Sequence, residues 1–221
     1  MNQKKVAVIH TSFVSVDELK KLFKEILPQV QMINIVDDSI LPEVIKSGQV
    51  TPSIVRRICN YAAEAEALGA DAVLNQCSSV GEVAETARSM LNIPFIRIDE
   101  AMMTEAVKIG GRISIIATVA STLGPSSRLA ESISKLAQKQ VEIRKCLVDG
   151  ALDILIKEGN VEKHNAMVQS EIERVQDDSD VIVLAQGSMV VLLPFLKHIK
   201  KPVLTSPRLG VEHVKKVLGL Y

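Results

Sequence analysis

The sequence contains no tryptophan, and aromatic residues make up only 3% of its 221 positions. Its hydrophobic core must therefore be built from Val, Ile, Leu, Ala and Met, within a chain that is 47% hydrophobic. An aliphatic composition of this kind is typical of parallel strands that are covered on both faces, because such strands appear as continuous apolar runs. The length is sufficient for one large core or two smaller ones.

Net charge is also absent, since 26 Lys and Arg residues balance 26 Asp and Glu residues. The chain lacks the basic footprint of a nucleic-acid-binding protein, so we expect a small-molecule partner and no nucleic acid. No apolar run approaches the roughly 18 residues that cross a bilayer. The apolar segment at residues 6–9 is too short for the core of a signal peptide. We therefore expect a cytoplasmic protein with no membrane partner.

Cysteine is scarce, with Cys59, Cys77 and Cys146 as its three occurrences. An odd number in a chain of this size argues against a disulfide framework and for a reducing compartment. Cys59 falls in a helical segment with apolar neighbours and Cys146 on an apolar strand, so both are predicted to be core residues. The sequence has no CxxC pair, HExxH motif, acidic cluster or Gly-rich phosphate loop, so we expect neither a metal nor a nucleotide cofactor.

Short β-branched runs alternate with longer segments of helical period, a pattern that predicts βαβ units and parallel sheets. Thr51 before Pro52 is typical of a helix start. The predicted strands are near residues 6–9, 30–36, 72–74, 95–98, 112–117, 141–146, 181–184 and 203–205. The predicted helices are near residues 17–27, 52–68, 80–90, 101–109, 126–138 and 165–176, followed by a terminal helix.

The two halves of the chain resemble each other. A shift of 110 residues (183 − 73) places Val73, Leu74, Gln76, Ser78 and Val80 on Val183, Leu184, Gln186, Ser188 and Val190. Both stretches end a predicted strand, which favours an internal duplication over coincidence among common residues. The fold class is therefore predicted to be α/β with two similar parallel-sheet halves.

Polar residues follow the predicted strands, where ligands bind in open parallel sheets. Hydroxyl and amide side chains are common at five such ends: residues 10–12, 75–79, 118–122, 186–189 and 205–206. At turns of this kind hydroxyl and backbone N–H groups can hold a carboxylate, although Ser and Thr can also simply cap the next helix.

Cys77 is the most reactive group among these strand ends. A thiol at the first turn of a helix meets unpaired N–H groups and the positive end of the helix dipole, so we expect a lowered pKa for Cys77. The alternative is a buried, inert cysteine. His10 closes the first strand at the same sheet edge and could orient Cys77 or exchange a proton with it, unless it is a structural histidine.

These strand-end residues resemble the aspartate/glutamate/hydantoin racemase superfamily over almost the whole chain. Residues 75–79 (Asn-Gln-Cys-Ser-Ser) look like the segment of the first catalytic cysteine, and residues 117–123 (Ala-Thr-Val-Ala-Ser-Thr-Leu) are similar to the carboxylate-binding turn. The resemblance implies two flavodoxin-like lobes related by a pseudo-two-fold axis, with the site between them, no cofactor and a homo-oligomer. The lobes would be residues 1–99 plus 203–221 and residues 100–202.

One departure from the family pattern concerns the second catalytic cysteine. Residues 181–189 look like the strand and turn that present it, but Gln186 or Gly187 stands in its place, depending on the alignment. The family's scheme uses one thiol to abstract the α-proton and the other to return it from the opposite face. With Cys77 alone, symmetric two-base exchange is not expected.

Three hypotheses follow from this pattern. In the first, Cys77 acts alone or with His10 as a one-sided acid/base in racemisation or epimerisation, isomerisation or decarboxylation of a small carboxylate. In the second, Cys77 is a nucleophile in acyl or addition–elimination chemistry. In the third, the chain binds carboxylates without catalysis. The predicted substrate-binding residues are Ser12, Asn75, Ser78, Ser79, Thr118, Ser121, Thr122, Gln186, Gly187 and Ser188.

Overall fold

A computed structural model describes residues 3–220 of the protein, with the backbone alone at Ile156. In chain order, its strands and α-helices are β1 (Lys5–His10), α1 (Val16–Ile26), β2 (Gln31–Val36), α2 (Ile40–Ser47), α3 (Pro52–Ala67), β3 (Ala72–Asn75), α4 (Val83–Met90), β4 (Phe95–Arg97), α5 (Glu100–Ile109), β5 (Arg112–Ala117), α6 (Ala120–Leu136), β6 (Glu142–Leu147), α7 (Ala151–Lys157), α8 (Val161–Val175), β7 (Val181–Leu184), β8 (Val203–Thr205) and α9 (Ser206–Val217). Among these residues, no helix combines the length and apolar character needed to cross a bilayer.

The chain divides into two compact units. Unit 1 runs to Ala101 and resumes at Pro207, and unit 2 is Met102–Ser206. Each unit contains one four-stranded parallel sheet, with the order β2-β1-β3-β4 in unit 1 and β6-β5-β7-β8 in unit 2. This order, in which the first strand lies between the second and third, is that of flavodoxin-like sheets. The predicted fold class of two similar α/β halves is confirmed.

Unit 1 has a separate apolar core on each face of its sheet, because successive strand residues point to opposite sides. Ala7, Ile9 and Val73 pack with residues of α3 and α4, which defines the α3 face. Val6, Val8 and Leu74 pack with α1 and with Val211 and Val214 of α9, which defines the α1 face. The C-terminal helix is therefore part of the core of unit 1.

In unit 2, one face of the sheet packs against α8. Ile116, Ile182 and Leu184 of the sheet form a buried cluster with helix residues such as Val168 and Ile172. Cys146 lies in this cluster, and Cys59 lies in the α3-face cluster of unit 1. Both are therefore core residues, as the sequence predicted.

The same hydrogen bonds recur at equivalent positions of the two sheets. Asp71 accepts the backbone N–H of Lys5 and donates its own N–H to the Lys5 carbonyl, and Asp180 makes the same pair of bonds with Arg112. The first register pair of β1 and β3, Val6 with Ala72, corresponds to the first pair of β5 and β7, Ile113 with Val181. The two halves are therefore related by a shift of 107 residues for β1 and β5 (113 − 6) and of 109 residues for β3 and β7 (181 − 72). The shift of 110 inferred from sequence identities is therefore one residue too large at the end of β3.

Several helical segments differ from the sequence prediction. Residues 37–50 contain α2, and α7 was also not predicted. Helix α6 begins at Ala120 rather than near residue 126, with Pro125 inside it. The helix continues through Pro125, whose lack of an N–H removes one main-chain hydrogen bond. The N-cap prediction at Thr51 is confirmed, since its side chain accepts the N–H of Ile54.

Asp180 gives the fold an acid-sensitive contact. Its carboxylate accepts hydrogen bonds from the Arg112 side chain and from the backbone N–H groups of Gly111 and Arg112, which lower its pKa from 3.8 to about 2. A lowered folded-state pKa contributes stability that is complete above the unfolded value and is lost as pH falls through the folded value. We expect Asp180→Asn to flatten the dependence of unfolding midpoint on pH between 3.8 and about 2.

Circular dichroism during thermal unfolding checks this expectation. Asp153→Asn is the matched control, because Asp153 makes a solvent-exposed pair with Lys157, and such pairs contribute little. An unchanged slope in Asp180→Asn would show that the Asp180 contacts do not govern the acid response.

Candidate active site

The parallel register of β1 and β3 places Thr11 beside Cys77. Ile9 is level with Asn75, so two residues further along both chains Thr11 is level with Cys77. Residues two apart share a face of the sheet. The buried Thr11 side chain hydrogen-bonds the Cys77 thiol. The thiol therefore has a fixed hydroxyl partner at the carboxyl end of the central strand pair.

A short turn surrounds the other side of the sulfur. Cys77 is in extended conformation and caps the 3-10 turn Ser78–Val80. The Val80 N–H donates to the Cys77 carbonyl at 3.3 Å, and the polar groups of Ser79 and Val80 lower the pKa of the neighbouring thiol. The Asn75 amide Nδ2 donates to the Cys77 carbonyl at 3.2 Å, which holds the start of the turn.

Burial raises the pKa of the Cys77 thiol, and its hydrogen bonds to Thr11, Ser79 and Val80 offset this effect only in part. The predicted lowering of the pKa is therefore wrong. A three-residue turn, rather than an α-helix, follows Cys77, and the side chain packs partly against the α3-face cluster. The residue keeps some solvent exposure. Its neutral form is favoured at neutral pH, so the thiol is poised to donate a proton.

His10 does not hydrogen-bond Cys77. His10 lies two residues after Val8 and therefore points to the same α1 face of the sheet, whereas Thr11 lies two residues after Ile9 and points to the α3 face. The imidazole is fully buried, and its Nε2 lies 3.0 Å from the Asn34 Oδ1. Within residues 3–220 its Nδ1 has no hydrogen-bond partner. The predicted pairing of His10 with the thiol is thus replaced by a contact with Asn34.

Burial also lowers the pKa of His10, while the Asn34 hydrogen bond opposes the shift and the charge of Lys20 adds to it. The imidazole is therefore neutral near neutral pH. A neutral ring with one nitrogen engaged by Asn34 holds β1 and β2 together at their carboxyl ends.

The other predicted residues of unit 1 lie at the carboxyl ends of β1 and β3, the same two strand ends that carry Thr11 and Cys77. Asn75, Ser78 and Ser79 are buried, and Ser12 is half-buried directly after Thr11. The Asn75 Oδ1 is buried without a hydrogen-bond partner in the described part of the chain. Sequence reasoning did not single out Thr11, although counting along two parallel strands from their polar ends would have indicated it.

Unit 2 repeats the arrangement with an amide in place of the thiol. Ile116 is level with Leu184, so Thr118 is level with Gln186. The Gln186 Oε1 accepts the Thr118 N–H at 2.6 Å and its hydroxyl at 3.1 Å. Gln186 also caps the 3-10 segment Gly187–Phe195, as Cys77 caps its own turn. Gln186, rather than Gly187, is therefore the counterpart of Cys77.

The remaining predicted residues of unit 2 occupy the first turn of α6 and the segment after Gln186. Thr122 is buried, and its N–H bonds the Val119 carbonyl at 3.1 Å. The Ser121 Oγ is buried and has no hydrogen-bond partner within the described residues. Gly187 is half-buried and Ser188 is exposed. The positive end of the dipole at the amino end of a long helix favours an anion.

Residues 3–220 contain no cluster of three or more His, Cys, Asp or Glu side chains arranged to hold a metal ion. The strand ends offer one thiol, one imidazole, hydroxyl groups, amides and backbone N–H groups. Burial, with a contribution from Glu171, raises the pKa of Cys146 to about 11, so this second thiol remains protonated in its core.

Two flavodoxin-like units with polar strand ends, one of them carrying a thiol, define an α/β protein of the doubly wound class. The sequence matches the Asp/Glu/Hydantoin racemase family over residues 7–214, so the chain belongs to that family. Membership supports a racemase-type isomerase. A search of curated proteins returned no significant match.

Solved structures of racemases share the fold. Glutamate racemase from Francisella tularensis subsp. tularensis SCHU S4, in complex with D-glutamate, has a TM-score of 0.78 and 14% identity over 99% of this chain and 82% of that chain. Allantoin racemase from Klebsiella pneumoniae has a TM-score of 0.72 and 19% identity over 98% of this chain and 89% of that chain. Aspartate racemase from Picrophilus torridus has a TM-score of 0.70 and 17% identity over 97% of this chain and 94% of that chain.

Proposed function

We propose that this protein transfers a proton at the α-carbon of a small carboxylate, with Cys77 as the acid/base. The observation that carries the proposal is the Cys77 thiol itself, which lies after β3 beside Thr11 and at the start of the turn Ser78–Val80. Racemase-family membership supports the same class of reaction. The substrate would be an amino acid or a related diacid, as in the glutamate racemase bound to D-glutamate, with no cofactor.

The chemistry of one neutral thiol is asymmetric. A protonated Cys77 can donate to one face of a carbanion, and its thiolate can remove a proton from that same face. A carbanion beside a carboxylate is an enediolate, and preorganised N–H and O–H donors stabilise its additional charge. Exchange of the α-proton with retention of configuration, isomerisation, and decarboxylation with stereospecific protonation all fit this one-sided transfer, whereas epimerisation also needs a proton donor on the opposite face. A raised thiol pKa favours Cys77 as a proton donor, whereas nucleophilic attack and proton abstraction both require the thiolate.

Gln186 would bind the substrate rather than exchange protons with it. Both donors of Thr118 already engage the Gln186 Oε1, so the amide orientation leaves its N–H groups to act as donors. The other residues proposed to hold the carboxylate are those that offer hydroxyl or N–H groups: Ser12, Asn75, Ser78, Ser79, Thr118, Ser121, Thr122, Gly187 and Ser188. We also propose a homo-oligomer, which the family resemblance implies, in the cytoplasm, which the odd number of cysteines favours.

Proton exchange in deuterated water tests this function. We expect the protein to introduce deuterium at the α-position of at least one compound from a panel of amino acids, hydantoins, malonates and unsaturated diacids. For malonates, the readout is deuterium in the decarboxylated product. Loss of a general acid/base typically costs about 10²–10⁴-fold in rate, so Cys77→Ala should reduce the exchange by that factor, measured by NMR and mass spectrometry.

Cys59→Ala is the control, because Cys59 is a core thiol on α3 and should leave the exchange measurable. A covalent adduct on Cys77 without deuterium exchange would instead support the nucleophile hypothesis. Carboxylate binding that is unaffected by Cys77→Ala, again without exchange, would support a non-catalytic binding protein.

A second thiol at the counterpart position provides an independent test. If Gln186 occupies the place of the family's second cysteine, Gln186→Cys should allow proton transfer on the other face of the α-carbon. We expect the wild type to exchange the α-proton of one enantiomer, and Gln186→Cys to exchange both and to form racemic product. Chiral chromatography of the product measures this change.

Gly187→Cys is the matched control, since it places a thiol one residue beyond the position that the strand register selects. Racemisation by Gly187→Cys but not by Gln186→Cys would contradict the assigned equivalence of Cys77 and Gln186.

A further inference from the structure

A buried ion pair lies at the carboxyl end of β4, next to the strand that carries Cys77. The Arg97 Nε and Nη2 donate to the two carboxylate oxygens of Asp99 at 3.0 and 2.9 Å. Arg97 is 6% exposed and Asp99 is fully buried. Removing two charges from water is costly, and the pair recovers this cost only through good geometry. The mechanism proposed above assigns no role to this pair.

The Arg97 guanidinium rests against the backbone of Gly81. A Cβ atom added at Gly81 would lie 2.5 Å from the Arg97 Cζ and Nη2 and 2.7 Å from its Nε. The Gly81 backbone has φ −58° and ψ −30°, a conformation open to any L-residue. Glycine at this position is therefore explained by the close approach of the guanidinium rather than by backbone conformation.

Gly81 ends the turn that surrounds the Cys77 sulfur. Its N–H donates to the Ser78 carbonyl at 3.1 Å, and its carbonyl accepts the N–H of Ala84 at 3.0 Å in the first turn of α4. The two preceding residues, Ser79 and Val80, belong to the turn that Cys77 begins, and their N–H groups favour the thiolate. A displacement of Gly81 therefore moves these donors relative to the sulfur.

We propose that Arg97, held in place by Asp99, is a positioning residue for Cys77 that acts by fixing Gly81 and with it the turn Ser78–Val80. Arg97 is level with Asn75 in the register of β3 and β4, and Asn75 in turn bonds the Cys77 carbonyl. The buried pair and Asn75 thus hold the two ends of the same turn. The kinetic part of this inference rests on the proposed function, whereas its effect on the thiol does not.

Alkylation of Cys77 by iodoacetamide, followed as a function of pH, tests the inference without a substrate. Gly81→Ala should push the turn away from the guanidinium and weaken the N–H bonds that stabilise the thiolate. We expect the midpoint of alkylation to rise by about one pH unit, which lowers the rate at a fixed lower pH by about tenfold. Mass spectrometry of the Cys77 peptide separates this signal from Cys59 and Cys146.

A double-mutant cycle identifies Arg97 as the cause. In an Arg97→Met/Asp99→Asn background the obstacle to a Cβ atom is removed, so adding Gly81→Ala should shift the midpoint by much less than it does in the wild type. The single change Arg97→Lys should also give an alkylation midpoint above the wild-type value, because an ammonium lacks the flat, bidentate geometry of the guanidinium. Equal shifts in both backgrounds would overturn the proposal.

Gly110→Ala is the matched control for a tightly packed glycine. A Cβ atom there would lie 2.2 Å from the Cβ of Asp180 in unit 2, so this change should disturb local packing and leave the alkylation of Cys77 unchanged. A shift in Gly110→Ala as large as that in Gly81→Ala would mean that general destabilisation causes the effect, and would overturn the proposal.

If Gly81→Ala does not fold, as judged by circular dichroism, Arg97→Met/Asp99→Asn alone carries the test: a raised alkylation midpoint supports the proposal and an unchanged one overturns it. With an exchange substrate available, kcat should fall while KM changes little. Failure of the proposed function would appear as exchange that survives in Cys77→Ala, an outcome that does not depend on the alkylation result.

Discussion

The hydrogen bond between Thr11 and the Cys77 thiol depends on the register of two parallel strands. Because β1 and β3 pair with Ile9 level with Asn75, the next residues of the same parity meet just beyond the sheet. The equivalent register in unit 2 brings Thr118 to Gln186. A one-residue slip would send each of these side chains to the other face. Strand pairing therefore determines which groups share the polar end of each sheet.

Desolvation and hydrogen bonding act in opposite directions on the Cys77 thiol. Burial raises its pKa, and the bonds from Thr11, Ser79 and Val80 limit the rise. The outcome is a neutral thiol whose anion still has several partners, which suits a group that both gives and receives a proton. The counterpart amide at Gln186 can only form hydrogen bonds. The two equivalent positions therefore differ in the chemistry that they can perform.

The sequence predicted the elements that have strong local signals. Strands β5, β7 and β8 begin and end at the predicted residues, because their apolar runs are bounded by polar residues or turns. Helix α2 was missed, although Pro42 in its first turn and the left-handed Gly48 at its end are ordinary boundary signals. The contact of Thr11 with Cys77 depends on strand register, and the raised pKa of the Cys77 thiol depends on its burial. No local sequence pattern encodes either property.

The most direct test of this account is the titration of the Cys77 thiol in the wild type and in Thr11→Val, followed by ultraviolet absorbance of the thiolate as the difference from Cys77→Ser. We expect the wild-type midpoint to lie above the ordinary thiol value of 9.0. Thr11→Val should raise it further, because a hydroxyl that bonds the thiolate is lost. A wild-type midpoint below 9.0, or a midpoint that falls in Thr11→Val, would contradict the account.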